Sequence, residues 1–282
     1  MPKKLIITEK PSVAMEFAKV LKINSNRKNG YIESDDWIIT WCVGHLVTMS
    51  YPEVYDEKLK FWRLDTLPFI PHEWKYEIIP AVQNQFNIVK SLLQREDVEE
   101  IYNAGDSGRE GEYIQRLVFM MAKPNPKAQI KRVWIDSQTE EEIRRGIKEA
   151  KDESEYDSLS DSAYLRAKED YLIGINFSRL LSIIYGRRVA KEINEEKASI
   201  SIGRVMTCVL GMVVSREREI RNFVKTKYYK IIGEFGNEEG TFKAEWKVNE
   251  KSQMFESNKL YNESGFKKEE DAKEFIKNLA DK

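Results

Sequence analysis

The stretch KLIITEKPSVAMEFAKVL, from Lys4 to Leu21, joins a strand pattern directly to a helix pattern. Its first residues, Lys4 to Glu9, form a short apolar, β-branched run that is typical of a buried strand. Pro11 and Ser12 then favour the start of a helix, because proline is tolerated in the first helical turn. Apolar residues recur on one face of that helix, at Val13, Phe17, Val20 and Leu21. We therefore predict a strand followed by a helix at the start of the chain.

The same order of strand and helix recurs as far as residue 150. Further strands are predicted at Trp37–Gly44, Glu99–Asp106 and Ile130–Ile135. Further helices are predicted at Ala81–Gln94, after Asp106, and at Thr139–Ala150, where Thr139 and Glu142 are spaced as a capping box. Strands that alternate with helices predict an α/β fold with a mainly parallel sheet covered on both faces.

The pattern changes after the polar run KDESEYDSLSD, residues 151–161, which we predict to be a domain boundary. Long helices are predicted at Ala163–Ile184 and Ile202–Ile220. From Tyr228 the apolar period drops to two, which predicts a hairpin across Gly236–Gly240, and another helix is predicted from Lys267.

The composition excludes several classes of protein. Of the 282 residues, 41% are hydrophobic and 33% are charged, as expected for a globular protein with sizeable cores. No apolar run approaches the roughly 18 residues of a membrane span, and the first apolar run continues into Glu9 as a strand rather than a signal peptide. Cys42 and Cys208 are far apart, so neither a disulfide framework nor a zinc site is indicated. We expect a cytoplasmic protein without a membrane anchor.

The charge of the chain is unevenly distributed. The net charge is −1, but residues 161–230 contain 14 Lys and Arg against 8 Asp and Glu, so this segment is basic and the remainder is acidic. A basic segment beside an acidic one fits a polyanion-binding surface next to a metal site, and ordinary variation of surface charge fits equally well. Charge alone does not decide between them.

Two carboxylates follow predicted strands. Glu9 ends the first strand and Asp106 ends the third, and ligands of parallel sheets bind at the carboxyl ends of strands. Carboxylate oxygens suit Mg²⁺, which often bridges to a phosphate. The segment GDSGREGE, residues 105–112, adds Arg109, Glu110 and Glu112. Acidic residues are also common at helix N-termini because they interact favourably with the helix dipole, and this alone would explain Glu9 or Glu112 taken singly. The combination of these acids with Arg109 favours a phosphoryl-transfer site.

Three motifs resemble the signatures of a Toprim module, as found in type IA DNA topoisomerases of the topoisomerase III branch. They are TEKPS at 8–12, VGHL at 43–46 and GDSGREGE at 105–112. Four further segments are similar to motifs of that family and follow in its order: FWRLDTLPFIP at 61–71, RVWIDSQTEEEI at 132–143, RAKEDYLIGINFSR at 166–179 and SIGRVMTCVL at 201–210. The resemblance thus extends over nearly the whole chain.

The resemblance implies a fold of three parts. Residues 1–155 would form the Toprim domain, with a Rossmann-like, mainly parallel sheet. Residues 156–222 would form a helical, winged-helix-like DNA-binding domain, and residues 223–282 the beginning of a β-rich arch domain.

The resemblance also implies roles for individual residues. Glu9, Asp106 and Glu110 would hold Mg²⁺, Lys10 would stabilise the scissile phosphate, and Arg109 would support that charge. Single-stranded DNA would contact Trp62, Tyr171, Arg179 and the run Ser201, Ile202, Gly203, Arg204, Val205 and Met206.

Other readings of these side chains remain open. Tyr171 could belong to an aromatic core, Trp62 could fill a loop, and Arg179 could be a solvated surface residue. His45 could support the site or be a buried histidine with its hydrogen bonds satisfied.

The sequence departs from the family pattern at three places. Gly108 stands where many Toprim proteins have the second Asp of Asp-x-Asp, which removes one ligand. Met206 and Cys208 replace Gln and Pro of the family's S-x-G-R-V-Q-T-P stretch. The family's nucleophilic Tyr lies in a Y-P-R-[ST] motif, which these residues do not contain, since Tyr51-Pro52 is followed by Glu53.

The resemblance therefore implies part of a type IA topoisomerase that cleaves one DNA strand, passes another and religates, with Mg²⁺ and without ATP. We expect the chain to bind single-stranded DNA as a nucleoid-associated monomer but not to relax supercoils by itself. The alternatives are a non-catalytic DNA-binding remnant or accessory protein, and another Toprim enzyme of the primase or OLD-nuclease kind.

Overall fold

The computed structural model of the chain describes residues 2–23, 27–238 and 240–280. The chain divides into two compact units, Met1–Val209 and Leu210–Lys282. The strands of the first unit are β1 (Lys3–Thr8), β2 (Arg27–Lys28), β3 (Tyr31–Glu33), β4 (Trp37–Trp41), β5 (Val47–Met49), β6 (Tyr76–Ile78), β7 (Val98–Ala104), β8 (Gln129–Arg132) and β9 (Lys151–Asp152). Its helices are α1 (Pro11–Val20), α2 (Gln83–Leu93), α3 (Arg109–Ala122), α4 (Glu140–Lys148), α5 (Asp157–Glu192) and the start of α6 (Arg204–Arg221).

The first unit is built on one sheet with the strand order β2-β3-β4-β1-β7-β8-β9 among the residues that the structure describes. Its central strands β4, β1, β7 and β8 are parallel, and the strands at both edges are antiparallel. The predicted α/β fold with a mainly parallel sheet is confirmed. Thr8 pairs with Trp41 on one side and with Ala104 on the other, so β1 and β7 end at the same level.

The side chains of β1 point alternately to the two faces of the sheet, and a separate buried core lies on each face. Leu5 and Ile7 pack on one face of the sheet with residues of α2 and α3, while Ile6 packs on the other face with residues of α1 and α4. All three side chains are fully buried, and burial of a large aliphatic side chain contributes about 1.5–3 kcal/mol. The sheet is thus held between helices, and its strand ends are rigid positions for a site.

The polar run 151–161, predicted to be a domain boundary, is largely regular structure. It contains the edge strand β9, a turn of 3₁₀ helix at Glu153–Tyr156 and the start of α5. Ala163 and Ala167 of α5 then pack in the same core as α2 and α3. Glu153 is buried against distant residues, which the local polarity of the sequence does not reveal. The domain limits at 155 and 222 stay predictions.

The predicted capping box of α4 is half formed. The Thr139 hydroxyl accepts a hydrogen bond from the backbone N–H of Glu142, as predicted, but the Glu142 carboxylate accepts from the backbone N–H of Asp136 instead of that of Thr139. Helix α5 (Asp157–Glu192) extends beyond the predicted 163–184 at both ends, whereas α6 (Arg204–Arg221) agrees with the predicted 202–220 to within two residues.

The second unit contains the rest of α6 and a small β-rich part. Its remaining elements are β10 (Tyr229–Lys230), β11 (Ile232–Asn237), β12 (Gly240–Glu245), β13 (Leu260–Asn262), β14 (Gly265–Phe266) and α7 (Glu269–Ala280). The predicted hairpin is confirmed, because β11 and β12 pair with Asn237 opposite Gly240. Trp246, Phe266 and Phe275 pack together with ring centroids 4.7–5.6 Å apart. Among the described residues, no helix is long and apolar enough to cross a membrane.

Candidate functional site

The aligned ends of β1 and β7 bring Glu9 and Asp106 to the same edge of the sheet. The Lys10 ammonium lies between them, with its Nζ 3.0 Å from Asp106 Oδ2 and 3.4 Å from Glu9 Oε1. The hydrogen bond to Asp106 and the charge of Glu9 raise the pKa of Lys10. Two carboxylates from different strands therefore lie within reach of one cation, and the prediction that these strand ends converge is confirmed.

Glu110 does not join this pair in the structure. Its Oε1 lies 3.2 Å from His45 Nε2, and the described residues (2–23, 27–238 and 240–280) contain no group of three His, Cys, Asp or Glu side chains that could hold a metal ion. Two carboxylates, with the remaining positions left to water and a phosphate oxygen, are a donor set that suits Mg²⁺. Glu9 and Asp106 thus fit the ion, and the role of Glu110 as a ligand stays a prediction.

His45 follows a turn at Gly44, whose φ of +82° lies in the left-handed region that favours glycine. The reading of His45 as a buried histidine is wrong, because 39% of its side chain is exposed. Its ring also contacts the edge of Tyr113, with centroids 6.2 Å apart. His45 therefore links the turn after β4 to Glu110 at the start of α3.

The backbone that carries Asp106 is held by buried groups that sequence reasoning missed. The guanidinium of Arg132 is fully buried and donates to the carbonyl oxygens of Gly105 at 2.7 Å and Asp106 at 2.9 Å. Its Nε donates to Glu112 Oε2 at 2.9 Å, so Glu112 is an interior counterion rather than a helix-terminal acid exposed to ligand. An arginine inside the strand-like run IKRVWI was the available signal, because a charged residue in a buried strand needs a partner.

The approach of α3 to this loop requires a glycine. A Cβ atom on Gly111 would lie 2.2 Å from the carbonyl oxygen of Asp106, which no side chain permits. Gly108, in contrast, has an extended backbone and no atom within 4 Å of the position of a Cβ. The loop is thus packed tightly at Gly111 and is open at Gly108.

A groove in two parts lies beside the start of α3. Its first part has a volume of about 320 Å³ and its second about 540 Å³, and both are lined by Thr48, Met49, Asp170 and Tyr171. We define the groove by its functional side chains: His45, Arg109, Glu110, Arg166, Asp170 and Tyr171 in the first part, and Lys60, Trp62 and Arg179 in the second. Because the two parts share this wall, we treat them as one groove, from Arg109 at the start of α3 to Trp62 in the loop at residues 57–66.

Arg179 and Trp62 form the far end of the groove. The reading of Arg179 as a solvated residue is wrong, because only 4% of it is exposed. Its guanidinium lies 5.6 Å from the centroid of the Trp62 ring and donates to the carbonyl oxygen of Leu59 at 2.8 Å, while its Nε has no hydrogen-bond partner among the described residues. Burial lowers the pKa of Arg179. Trp62 is 45% exposed, so it does not simply fill the loop.

Tyr171 combines both readings left open by the sequence. Its hydroxyl donates to the carbonyl oxygen of Ser50 at 2.7 Å, and its ring contacts the edges of Trp74 and Phe69. Burial raises the pKa of Tyr171. Tyr171 therefore belongs to an aromatic cluster and still lines both parts of the groove.

The run Ser201–Met206 lies along α5. The backbone N–H of Ile202 donates to Ser178 Oγ at 2.8 Å. Arg204 pairs with Asp170 and with Glu169, whose Oε2 lies 2.9 Å from Nη1. The side chains of Val205 and Met206 are exposed. The arginine predicted to bind phosphate is thus held at the groove wall by two carboxylates.

Comparison with known proteins identifies both parts of the chain. A Toprim domain model matches residues 4–137, and a DNA topoisomerase model matches residues 154–282. DNA topoisomerase 3 of Bacillus subtilis (strain 168) is 41% identical over 231 residues, which are 82% of this chain and 30% of that protein. DNA topoisomerase 3 of Bacillus anthracis is 40% identical over 261 residues, or 92% of this chain and 34% of that protein.

The chain spans about a third of the length of these curated relatives. The chain belongs to the type IA DNA topoisomerases and is topoisomerase III-like.

Proposed function

We propose that this chain supplies the metal site and the single-stranded DNA-binding surface of a type IA, topoisomerase III-like enzyme. The observation that carries the proposal is the groove, whose first part is lined by Arg109, three residues after Asp106, and whose second part is lined by Arg179 and Trp62. A groove with cations and aromatic faces suits single-stranded nucleic acid, because phosphates pair with the cations and bases stack on the rings.

The side chains along the groove and at the strand ends would have different roles in binding DNA. Lys10 would neutralise a phosphate oxygen at the strand edge, where it already balances two carboxylates. Arg109 and Arg166, both exposed, would pair with neighbouring phosphates. Mg²⁺, held by Glu9 and Asp106 with Glu110 as a further ligand, would add positive charge at the scissile phosphate. In the second part of the groove, Trp62 would stack on a base, with the Arg179 guanidinium over the other face of its ring.

The remaining predictions complete the proposal. The helical segment at 156–222 would be the winged-helix-like DNA-binding domain, with Tyr171 and Ser201–Met206 facing the bound DNA strand. Residues 223–282 would begin the β-rich arch domain. The whole enzyme would cleave one strand through a 5′-phosphotyrosyl bond, without ATP, as a nucleoid-associated monomer. Because these 282 residues contain no Y-P-R-[ST] motif, we propose that they bind DNA without cleaving it.

The alternatives from the sequence now differ in support. The match of a DNA topoisomerase model to residues 154–282 argues against a primase-like or OLD-nuclease-like enzyme. A non-catalytic DNA-binding remnant would use the same groove. The mass of the protein in its source cells separates the two, since a product much larger than 33.1 kDa supports a complete topoisomerase and one of 33.1 kDa supports the remnant.

The experiment that tests the proposal compares two neighbouring exposed aromatic side chains. Trp62 lines the groove, whereas Phe61 beside it does not. We expect Trp62→Ala to weaken binding of fluorescein-labelled single-stranded DNA about tenfold, and Phe61→Ala to change it by less than about twofold, because loss of one base–aromatic stack costs ~1–3 kcal/mol. Fluorescence anisotropy in Mg²⁺ buffer measures both.

A denaturing gel of the same mixtures checks for a covalent adduct. We expect none. Equal effects of the two substitutions would contradict the groove as the binding site, and an adduct would show that one of the tyrosines in this chain attacks phosphate.

A further inference from the structure

The Asp106 loop has a polar support in the protein interior. Arg132 is fully buried, and its Nη1 donates to the carbonyl oxygens of Gly105, Val133 and Asn103 at 2.7, 2.9 and 3.3 Å. Its Nη2 donates to the carbonyl oxygen of Asp106 at 2.9 Å. The parallel ladder between β7 and β8 ends at Asn103 and Arg132, so beyond that point the backbone carbonyls need other donors. The backbone N–H of Val133 donates to the Asn103 carbonyl at 2.8 Å, and the Arg132 guanidinium supplies donors to the carbonyls of Gly105 and Asp106.

Gly105 is also held by Asn103, which lies two residues earlier in β7. The Asn103 side chain accepts from the backbone N–H of Gly105 at 3.1 Å, and its Nδ2 donates to Glu153 Oε1 at 3.0 Å. Gly105 is therefore held at both its N–H and its carbonyl group. Asp106 follows directly, so the direction of its side chain is set by these contacts.

The buried charge of Arg132 is balanced within the same cluster. Glu112 is fully buried and accepts from Arg132 Nε and from Arg116 Nε, at 2.9 and 2.8 Å. Arg116 Nε also lies 2.9 Å from Glu153 Oε1. A buried charge persists only when it is paired and hydrogen-bonded, and here two arginines face two carboxylates. The cluster joins β7, β8, α3 and the turn before α5 behind the Asp106 loop.

We propose that Arg132 is a positioning residue that fixes the backbone at Gly105 and Asp106, so that the Asp106 carboxylate meets the Glu9 carboxylate at the sheet edge. Arg132 contacts the backbone of Asp106 and not its carboxylate, so it acts through the carbonyl groups of Gly105 and Asp106 and through Glu112. The inference rests on the proposed metal site for its functional consequence, but the hold on the loop exists without metal. Lysine at this position would keep the charge and lose the fork that reaches both carbonyl oxygens.

The first arm of the test needs no metal. Amide hydrogen exchange is measured on the wild-type chain, on Arg132→Lys and on Arg95→Lys as the matched control. Arg95 binds Glu33 and Asp97, next to the amino end of β7, so its loss also removes a partly buried arginine from the same unit. We expect Arg132→Lys to speed exchange in residues 103–112 relative to the rest of the sheet, and Arg95→Lys to leave that segment unchanged.

The second arm measures binding of Mn²⁺ by electron paramagnetic resonance, with Mg²⁺ as competitor. Removing a residue that orients a ligand costs about 10–100-fold in metal affinity, so we expect at least about a tenfold loss in Arg132→Lys and none in Arg95→Lys. Should Arg132→Lys fail to fold, Glu112→Gln gives the same readouts, because it removes the charge that orients Arg132 Nε.

The two arms separate the inference from the proposed function. Unchanged exchange at residues 103–112 overturns the role of Arg132 whatever the metal does. Faster exchange together with wild-type Mn²⁺ affinity overturns its consequence for the site. A wild-type chain that binds no Mn²⁺ contradicts the proposed metal site, while the exchange data still decide whether Arg132 holds the loop.

Discussion

In the central sheet, charged side chains are paired differently at the edge formed by the amino ends of the parallel strands and at the edge formed by their carboxyl ends. Near the amino end of β1, Glu33 is paired with Lys3, Lys28 and Arg95, at 3.0, 2.7 and 2.8 Å. At the carboxyl edge, Glu9 and Asp106 share the single ammonium of Lys10. One carboxylate with three cations is satisfied within the protein, whereas two carboxylates with one cation are short of positive charge. The comparison teaches that the charges at the first edge are balanced within the protein, whereas the second edge has the excess of carboxylates that the proposed metal site requires.

The two edges also differ in what lies behind them. Burial acts to raise the pKa of Glu33, but hydrogen bonds from Lys28, Lys3 and Arg95 outweigh it and lower the pKa to about 2. Behind the carboxyl edge, Arg132 donates hydrogen bonds to backbone carbonyl oxygens and to Glu112, so both charged groups are paired inside the protein. The Glu9 and Asp106 carboxylates take no part in this support, and both are paired with Lys10.

The largest expected effect is the loss of metal at the carboxyl edge. Asp106→Asn removes one of the two converging carboxylates, so we expect Mn²⁺ affinity to fall by more than about a hundredfold, beyond the effect of losing an outer contact. Glu33→Gln removes a carboxylate from the opposite edge and serves as the control. Equal Mn²⁺ affinities in Asp106→Asn and Glu33→Gln would remove the distinction between the edges.

The next effect is on stability, at the amino end. Because the pKa of Glu33 is depressed from 4.5 to about 2, its ion pairs stabilise the folded state above pH 4.5, and this contribution disappears as the pH falls towards 2. We expect Glu33→Gln to lower the free energy of unfolding by about 2 kcal/mol at pH 7, with the difference vanishing near pH 2. Urea unfolding at several pH values measures it. A difference that does not depend on pH would contradict the assigned ion pairs.

A smaller gain is expected from adding a ligand. Gly108 has an extended backbone, and a Cβ there would meet no atom within 4 Å, so Gly108→Asp can be accommodated. A third carboxylate at the edge should raise Mn²⁺ affinity about tenfold, or ~1.4 kcal/mol. Gly108→Asn, of the same shape without the charge, is the control. If the aspartate variant binds Mn²⁺ no better than the asparagine variant, position 108 does not face the site.

The smallest effect concerns the groove. Asp170 lines both parts of the groove and holds Arg204, and hydrogen bonds from Arg204 lower the pKa of Asp170. Asp170→Asn removes a negative charge and releases Arg204 for phosphate, so we expect single-stranded DNA to bind about two- to fivefold more tightly in low salt, and less so in high salt. Anisotropy at two salt concentrations measures this, with Asp161→Asn, an exposed position on the same helix outside the groove, as the control. Weaker binding in Asp170→Asn would mean that Asp170 orients Arg204 for DNA.

Much of the sheet and its carboxyl edge could be predicted from the sequence. The apolar runs before Glu9 and Asp106 define adjacent parallel strands, and parallel strands present their ends at one edge. These signals are local, so a single sequence reveals them. The sequence also pointed to Trp62, Tyr171 and Arg179, which line one groove in the structure, although their contact with DNA stays a proposal.

The missed features depend on contacts between distant residues. Arg132 reaches Gly105 across 27 positions, and Asn103 reaches Glu153 across 50, so no local pattern shows either pair. The run 151–161 is polar, which predicts a domain boundary, but its polarity does not reveal that Glu153 is buried and accepts a hydrogen bond from Asn103. The position of Glu110 against His45 likewise follows from the turn at Gly44, which brings two separate motifs together.

The most direct test of the account replaces Mg²⁺ by Fe²⁺ and generates hydroxyl radicals at the metal site in the presence of end-labelled single-stranded DNA. The account predicts that the polypeptide is cut beside Glu9 and Asp106 and that the bound strand is cut at one place, with both reactions suppressed by Mg²⁺. Cuts in the polypeptide at other residues, or no cut at the sheet edge, would contradict the claim that the metal and the DNA meet there.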